Sequence, residues 1–191
     1  MDILIITGPP YSGKGTQCEI IARELGYNHI STGDVIRLEK QQKTPIGLIM
    51  QQYEEQGNLV PDTIMKALIA KIIDDNVSAK GIILDGYPRT IPQVDALNEL
   101  LHEKKKPAKL VINIDVPAEE LLKRASIRAI NSTRLDDKDV AIHQKRIDIF
   151  ELLTRPAIAY MQKVFKVVTI DGCDTIPAIT NAIRKVIENK V

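Results

Sequence analysis

The stretch Gly8-Pro9-Pro10-Tyr11-Ser12-Gly13-Lys14-Gly15-Thr16 follows directly on the apolar run Ile3-Leu4-Ile5-Ile6. It leads into Gln17 to Leu25, a helical pattern closed by Gly26. A buried strand, a glycine-bearing turn and a helix start, in that order, constrain this chain more than any other feature. They are the layout of a loop that wraps a phosphate. Successive backbone N–H groups turn toward phosphate oxygens, and the helix N-terminus adds the positive end of its dipole. Lys14 supplies a point charge for the outer phosphates, and Thr16 a hydroxyl near a magnesium ion. Gly15 stands between them, a Lys-Gly-Thr variant of a pattern that commonly has Ser or Thr directly after Lys. The plain alternative is an ordinary Gly/Pro turn; strand, loop, lysine and helix in one register argue against it.

Four further apolar runs repeat the strand signal: His29–Ser31, Gly81–Asp85, Leu110–Val116 and Val167–Asp171, after Ile3–Thr7. All are rich in Ile, Leu and Val, as strands buried on both faces are. Helical patterns fill the gaps. Pro61 and Asp62 open one that runs to about Asp74, Pro92 sits near the start of one ending around Lys104, and Pro117 opens the one carrying Leu121 and Leu122. A longer pattern runs from about Asp139 to Lys163, and Pro156 is expected to kink it. This alternation predicts an α/β fold, a parallel sheet covered by helices on both faces. Residues 32–60 read as wholly helical, more than one crossover needs, and Ser126 to Asp136 form a short polar stretch flanked by arginines. Insertions at the carboxyl ends of parallel strands are where ligands bind.

A length of 191 residues with 44% hydrophobic content suits a single domain with small inserts. Charge is balanced, 26 basic against 25 acidic residues, so nothing suggests a nucleic-acid or membrane surface. Lys104-Lys105-Lys106 reads as a solvated helix end. No apolar run reaches the ~18 residues of a membrane helix, and the first residues enter a core strand without a visible signal peptide. Cys18 and Cys173 form no metal-spaced pair, and a reducing cytoplasm fits them. His29, His102 and His143 show no ligand spacing, and Met50 and Met65 read as core fillers.

Other pieces complete a pattern. Ser31-Thr32-Gly33-Asp34-Val35-Ile36-Arg37 follows the second strand, and Gly57-Asn58-Leu59-Val60-Pro61-Asp62 ends the first insert. Leu84-Asp85-Gly86-Tyr87-Pro88-Arg89-Thr90 leaves the third strand, with Gln93 one helical turn on. Arg124, Arg128, Arg134 and Arg146 bracket the second insert. In this order and spacing the pieces resemble, over essentially the whole chain, the adenylate kinase family of nucleoside monophosphate kinases in its short-lid form.

The resemblance implies a P-loop NTPase fold, a three-layer sandwich on a five-stranded parallel sheet. It makes 31–60 the monophosphate-binding insert and 126–136 the lid. It implies phosphoryl transfer from magnesium-ATP to AMP, a chemistry that rests on positioning, charge neutralisation and exclusion of water. Tyr11, Ser12, Gly13, Lys14, Gly15, Thr16, Arg124 and Asp174 would face ATP. Thr32, Arg37, Leu59, Val60, Gly86, Arg89, Gln93, Arg134 and Arg146 would face AMP. Lys14, Arg89, Arg128, Arg134 and Arg146 would act on the transferring group, and Asp85 with Thr16 would serve magnesium. The second insert has no cysteine, so the zinc-bearing long lid is not expected. A cytoplasmic monomer acting on small nucleotides follows from the same likeness. Thr-Gly-Asp at Thr32 points to adenine, where a UMP/CMP kinase, the nearest rival, would carry Ala. A non-catalytic nucleotide sensor is the rival from another class, and the retained Lys14, Asp85 and arginines argue against it. Three departures stand out. Tyr11 replaces a usual loop glycine, Asp174 falls where a small residue usually meets adenine, and the Arg134–Arg146 spacing is one residue longer than usual.

Overall fold

The computed structural model describes residues 1–131 and 140–189. Five strands, β1 (Asp2–Thr7), β2 (Asn28–Ser31), β3 (Gly81–Asp85), β4 (Ala108–Asp115) and β5 (Val167–Asp171), form one sheet in the order β2-β3-β1-β4-β5. Every pairing is parallel. Side chains alternate strictly. Ile3, Ile5, Ile82, Leu84 and Val111 enter the core on one face, and Leu4, Ile6, Ile83, Leu110, Ile112 and Ile114 that on the other. A period of two on a strand buried from both sides produces this split, and it explains why these runs are continuously apolar.

The second face is covered by α1 (Lys14–Leu25) and α9 (Ile176–Glu188), which supply Cys18, Ile21, Ile179 and Ile183. The first is covered by α4 (Asp62–Asp75), α5 (Ile91–Glu103) and α8 (Arg155–Met161), through Ile69, Leu97 and Ile158 among others. The result is the expected α/β sandwich of three layers. Helix starts follow local chemistry. Ser31 caps α2 (Thr32–Gln41) by accepting from Asp34 N–H at 3.2 Å, and Thr90 caps α5 by accepting from Gln93 N–H at 3.2 Å.

Boundaries moved slightly from the sequence reading. α1 begins at Lys14 rather than Gln17, and β4 runs from Ala108 to Asp115. Residues 32–60 hold α2 and α3 (Pro45–Glu55), and a loop from Gln56 follows rather than unbroken helix. α6 spans Ala118–Asn131, so the first residues of the expected short lid continue that helix; 132–136 lie outside the described residues. Ahead of Pro156 the chain forms no simple kink. α7 (Val140–Ile149) passes into a π-turn, Phe150–Thr154, where Arg155 N–H donates to Phe150 O five residues back. Pro156 has no N–H for the carbonyl four residues back, and its ring would crowd that carbonyl; the wider turn relieves both problems.

Candidate active site

The phosphate loop leaves the carboxyl end of β1 where connections diverge. β1 leads toward β2 at one edge, and its neighbour β4 toward β5 at the other. Such a switch point leaves a crevice above the strand ends. Here it is a cleft of about 610 Å³. Gly8 brings the loop against β4 so closely that a Cβ would sit 2.4 Å from Ile114 O. Gly13, at φ 82°, turns the chain into α1.

Lys14, Gly15 and Thr16 line the cleft from the first turn of α1. The Lys14 ammonium folds back over the loop and donates to Pro9 O at 3.1 Å. Burial pushes its pKa down, the Asp85 carboxylate opposes that shift, and Arg89 and Arg128 add to it. A lysine desolvated among like charges gains most when an anion enters. Ser12 Oγ is buried with no partner among the described residues, a donor held inside the loop. Ser12 and Gly13 shape the loop from behind and do not line the cleft.

Asp85 ends β3 and is 7% exposed. His29 Nε2 lies 3.2 Å from its Oδ2. Strand register explains the meeting: Ser31 pairs with Asp85, and His29 lies two residues earlier on the same face of β2. Cys18 completes a buried group whose ligand atoms all lie within 4.8 Å of one another. Burial pushes the Cys18 thiol well up from its ordinary pKa. The oxygens of Asp85 and Thr16, both in the cleft wall, are the donors that suit a hard magnesium ion with its waters. The residues present therefore fit that ion.

The cleft is also lined by Arg37 from α2, Arg89 from the β3–α5 loop, Arg128 from α6 and Arg146 from α7. Gly86, at φ 79°, leaves room where a Cβ would stand 2.7 Å from the Arg89 guanidinium. Arg89 Nε donates to Gly86 O at 2.5 Å, and Arg37 pairs with Asp34. Leu59, Val60, Thr32 and Gln93 form the apolar and polar corner beside them.

Thr32 and Gln93 are already engaged by protein. The buried Thr32 hydroxyl lies 3.1 Å from Asp85 O and 3.3 Å from Gly86 O, donating to this pair of carbonyls. Gln93 accepts from Arg89 N–H at 2.8 Å and donates to Asp62 Oδ1 at 2.6 Å. Both ends of this amide hold Arg89 and α4 in place, while Gln93 also lines the cleft.

Arg124 and Asp174 do not line the cleft. Arg124 donates to Glu120 at 3.0 Å and to Gly172 O at 3.0 Å, which sets it against the β5–α9 loop that carries Asp174. Arg134 lies outside the described residues.

Tyr11 is the unusual member. It stands at φ 68°, a left-handed conformation that costs a bulky residue about 1–2 kcal/mol. Its hydroxyl lies 2.5 Å from His143 Nδ1 and 3.5 Å from Arg146 Nη1. The His143 ring meets it edge-on at 5.2 Å, and the Arg128 guanidinium lies over its face at 5.8 Å. A hydrogen bond, an aromatic edge and a cation–π contact at roughly 0.5–1.5 kcal/mol each are enough to offset the strain.

Sequence reasoning missed His29, Asp62 and His143. His29 needed the β2–β3 register. Asp62 was legible only as a helix start. His143 gave one signal, its spacing four before Ile147 on the buried face of α7. Phe150 and Thr154 of the π-turn also line the cleft, a position no sequence period announces.

A family profile described as adenylate kinase matches residues 6–166. An adenylate kinase of Parabacteroides distasonis is 41% identical, covering 97% of each chain. One of Bacteroides fragilis is 40% identical, again over 97% of each. One of Methanosarcina barkeri is 35% identical over 97% of this chain and 98% of its own. The profile covers the phosphate loop and the cleft-lining arginines, the relatives cover nearly the whole chain, and this chain belongs to the adenylate kinase family.

Proposed function

We propose that this chain is an ATP:AMP phosphotransferase that moves the terminal phosphoryl group of magnesium-ATP reversibly to AMP, giving two ADP, and so balances adenine nucleotides. One observation carries the reading. Lys14, Thr16 and Asp85 line a single cleft of about 610 Å³ together with Arg37, Arg89, Arg128 and Arg146. A phosphate loop and four guanidinium groups sharing one space supply the positioning and charge neutralisation that an in-line transfer between two phosphate-bearing substrates needs.

In this reading the loop amides and Lys14 bind the triphosphate. Arg37 and Arg89 grip the phosphate of AMP through two-point contacts. Arg128 and Arg146, with Arg134, neutralise charge on the group in transit. Asp85 and Thr16 hold magnesium, which when bound screens the phosphate oxygens. Arg124 and the Asp174 loop flank the ATP base from outside the cleft. The 31–60 insert and the 126–136 lid, which has no cysteine and hence no zinc, close to exclude water. A monomer working in the cytoplasm on nucleotides alone, without nucleic-acid or membrane partners, completes the proposal. Its support is the balanced charge, 26 basic against 25 acidic residues, and no described helix is long and apolar enough to cross a membrane.

A coupled assay with magnesium-ATP and AMP, UMP or CMP in turn tests this reading. Turnover should be strong with AMP and weak with the pyrimidines. Equal use of UMP or CMP would overturn the adenine assignment, and no turnover with any monophosphate would overturn the kinase reading. Sedimentation velocity checks the monomer.

A further inference from the structure

We propose that Tyr11 is a positioning residue that ties the phosphate loop to α7 and sets the guanidinium of Arg146 at the cleft, an inference that rests on the phosphotransferase reading above. Arg146 has only N–H groups to offer, so its Nη1 donates to the Tyr11 hydroxyl oxygen at 3.5 Å. In the relay proposed, the Tyr11 hydrogen goes to His143 Nδ1 at 2.5 Å, with Nδ1 as acceptor and the ring proton on Nε2.

Two features mark this relay as something more than packing. Tyr11 holds a positive φ of 68° in a loop where glycine would be unstrained. Strain in a functional loop persists only when its surroundings over-determine it. His143, itself 2% exposed, leaves its Nε2 buried with no partner among the described residues. A buried N–H without an acceptor is unfavourable, and the tautomer that produces it is the one that presents Nδ1 to Tyr11. Both unfavourable features serve one contact. That contact joins the loop after β1 to the helix carrying Arg146, while Arg128 of α6 rests on the same ring. Three separate elements thereby share one anchor beside the place where charge must be neutralised, and a displacement there of about 1 Å is enough to cost ~10²-fold in rate.

The test is steady-state kinetics of AMP phosphorylation by the full chain, with melting curves, for wild type, Tyr11→Phe, Tyr11→Gly, His143→Asn, His143→Leu and the double variant Tyr11→Phe/His143→Leu. Tyr11→Phe should lower kcat at least about tenfold while KM for ATP and for AMP moves less than about threefold. Tyr11→Gly should lower kcat as much and also lower the melting temperature, because relief of φ does not replace the buried ring. His143→Asn retains an acceptor near the Nδ1 position and should keep several-fold more kcat than His143→Leu. The double variant should be no slower than the worse single, as members of one relay are non-additive. Nitrogen NMR of the His143 ring reads the contact without turnover: wild type should show the Nε2–H tautomer, and Tyr11→Phe a tautomer mixture. Wild-type kcat in Tyr11→Phe, or an unchanged His143 tautomer, would overturn the inference and leave the phosphotransferase reading standing. An inactive wild type would overturn that reading, while the tautomer comparison would still decide whether the relay exists.

Discussion

Lys14 shows how much a single side chain can carry. Its ammonium is desolvated, its pKa is pushed down, and it donates to Pro9 O at 3.1 Å. Replacing it with methionine keeps length and apolar stem but removes a preorganised charge. Lys14→Met should cost ~3 kcal/mol in the transition state, about 10²-fold in kcat, with an unchanged melting curve. Activity within a few-fold of wild type would show that the loop is not the phosphate site. Thr32 behaves differently. Its hydroxyl serves Asp85 O and Gly86 O inside the protein, so Thr32→Ala leaves two buried carbonyls short of a donor. We expect a loss of about 1–2 kcal/mol in stability and a narrower preference for AMP over UMP and CMP, with KM for ATP little changed. Denaturant melts and the ratio of catalytic efficiencies check the two halves separately. At this scale the sequence made charged residues legible, because phosphate chemistry demands Lys and Arg at few places. It did not reveal what holds them. Gln93 reads as a base-facing amide in the sequence, and nothing there announces that it also braces Arg89 and Asp62. His143 looked idle because its partner, Tyr11, is 132 residues away.

At the scale of elements, continuous apolar runs and helical patterns located every described strand and most helices, since a sheet buried on both faces leaves little room for polar interruptions. The passage from α7 to α8 was legible only as a disturbance at Pro156. A proline signals that an N–H is missing, yet whether the chain kinks or widens depends on what Phe150 and Thr154 pack against. Connections between elements carry stability of their own. The turn between α1 and β2 is tied to the start of β1 by Tyr27, whose hydroxyl donates to Asp2 Oδ2 at 2.6 Å. Gly81 at the start of β3 makes room for the ring, since a Cβ there would stand 2.6 Å from it. Desolvation first, then the Asp2 carboxylate, raise the Tyr27 pKa to about 12 from 10.0. A folded-state pKa above the unfolded one means the contribution is whole below pH 10.0 and is lost as pH rises from 10.0 toward 12. Asp2, held low chiefly by the Tyr27 hydrogen bond, contributes above its ordinary pKa of 3.8 and loses that contribution as pH falls below it. Tyr27→Phe should therefore destabilise by about 1 kcal/mol at pH 7. The gap to wild type should shrink above pH 10, as urea melts across the range would show. A gap that stays constant to pH 12 would mean the hydroxyl is not the cause.

The molecule as a whole presents its cationic groups from elements that share no backbone frame. Lys14 stands on α1 against the sheet, Arg37 on α2, Arg89 on the β3–α5 loop, and Arg146 on α7. Separately, a triphosphate or a monophosphate engages only part of this set. A ligand with two adenosines joined by a chain of phosphates engages all of it, and the second half then binds intramolecularly at high effective concentration. It also carries the charge spacing of the two substrates at reaction, so it draws on binding energy otherwise spent in the transition state. Closure of the 31–60 insert follows if the arginine it carries, Arg37, is to reach those phosphates. We expect this ligand to bind at least about 10²-fold more tightly than ATP or AMP alone. It should also shorten the distance between α3 and the far edge of the sheet. Both ends of that distance are accessible: Gln52 of α3 is exposed and replaceable by cysteine, Cys173 after β5 is exposed, and Cys18 is buried from dyes. Energy transfer between labels at 52 and 173 should rise on adding the linked ligand, and rise less with ATP or AMP alone. Adding Lys14→Met should weaken the ligand and shift the rise to higher concentration without abolishing it, since the arginine wall remains. Unchanged transfer at saturating ligand would sink closure of the insert, even if the affinity proved high, and would leave the cleft acting as a rigid site.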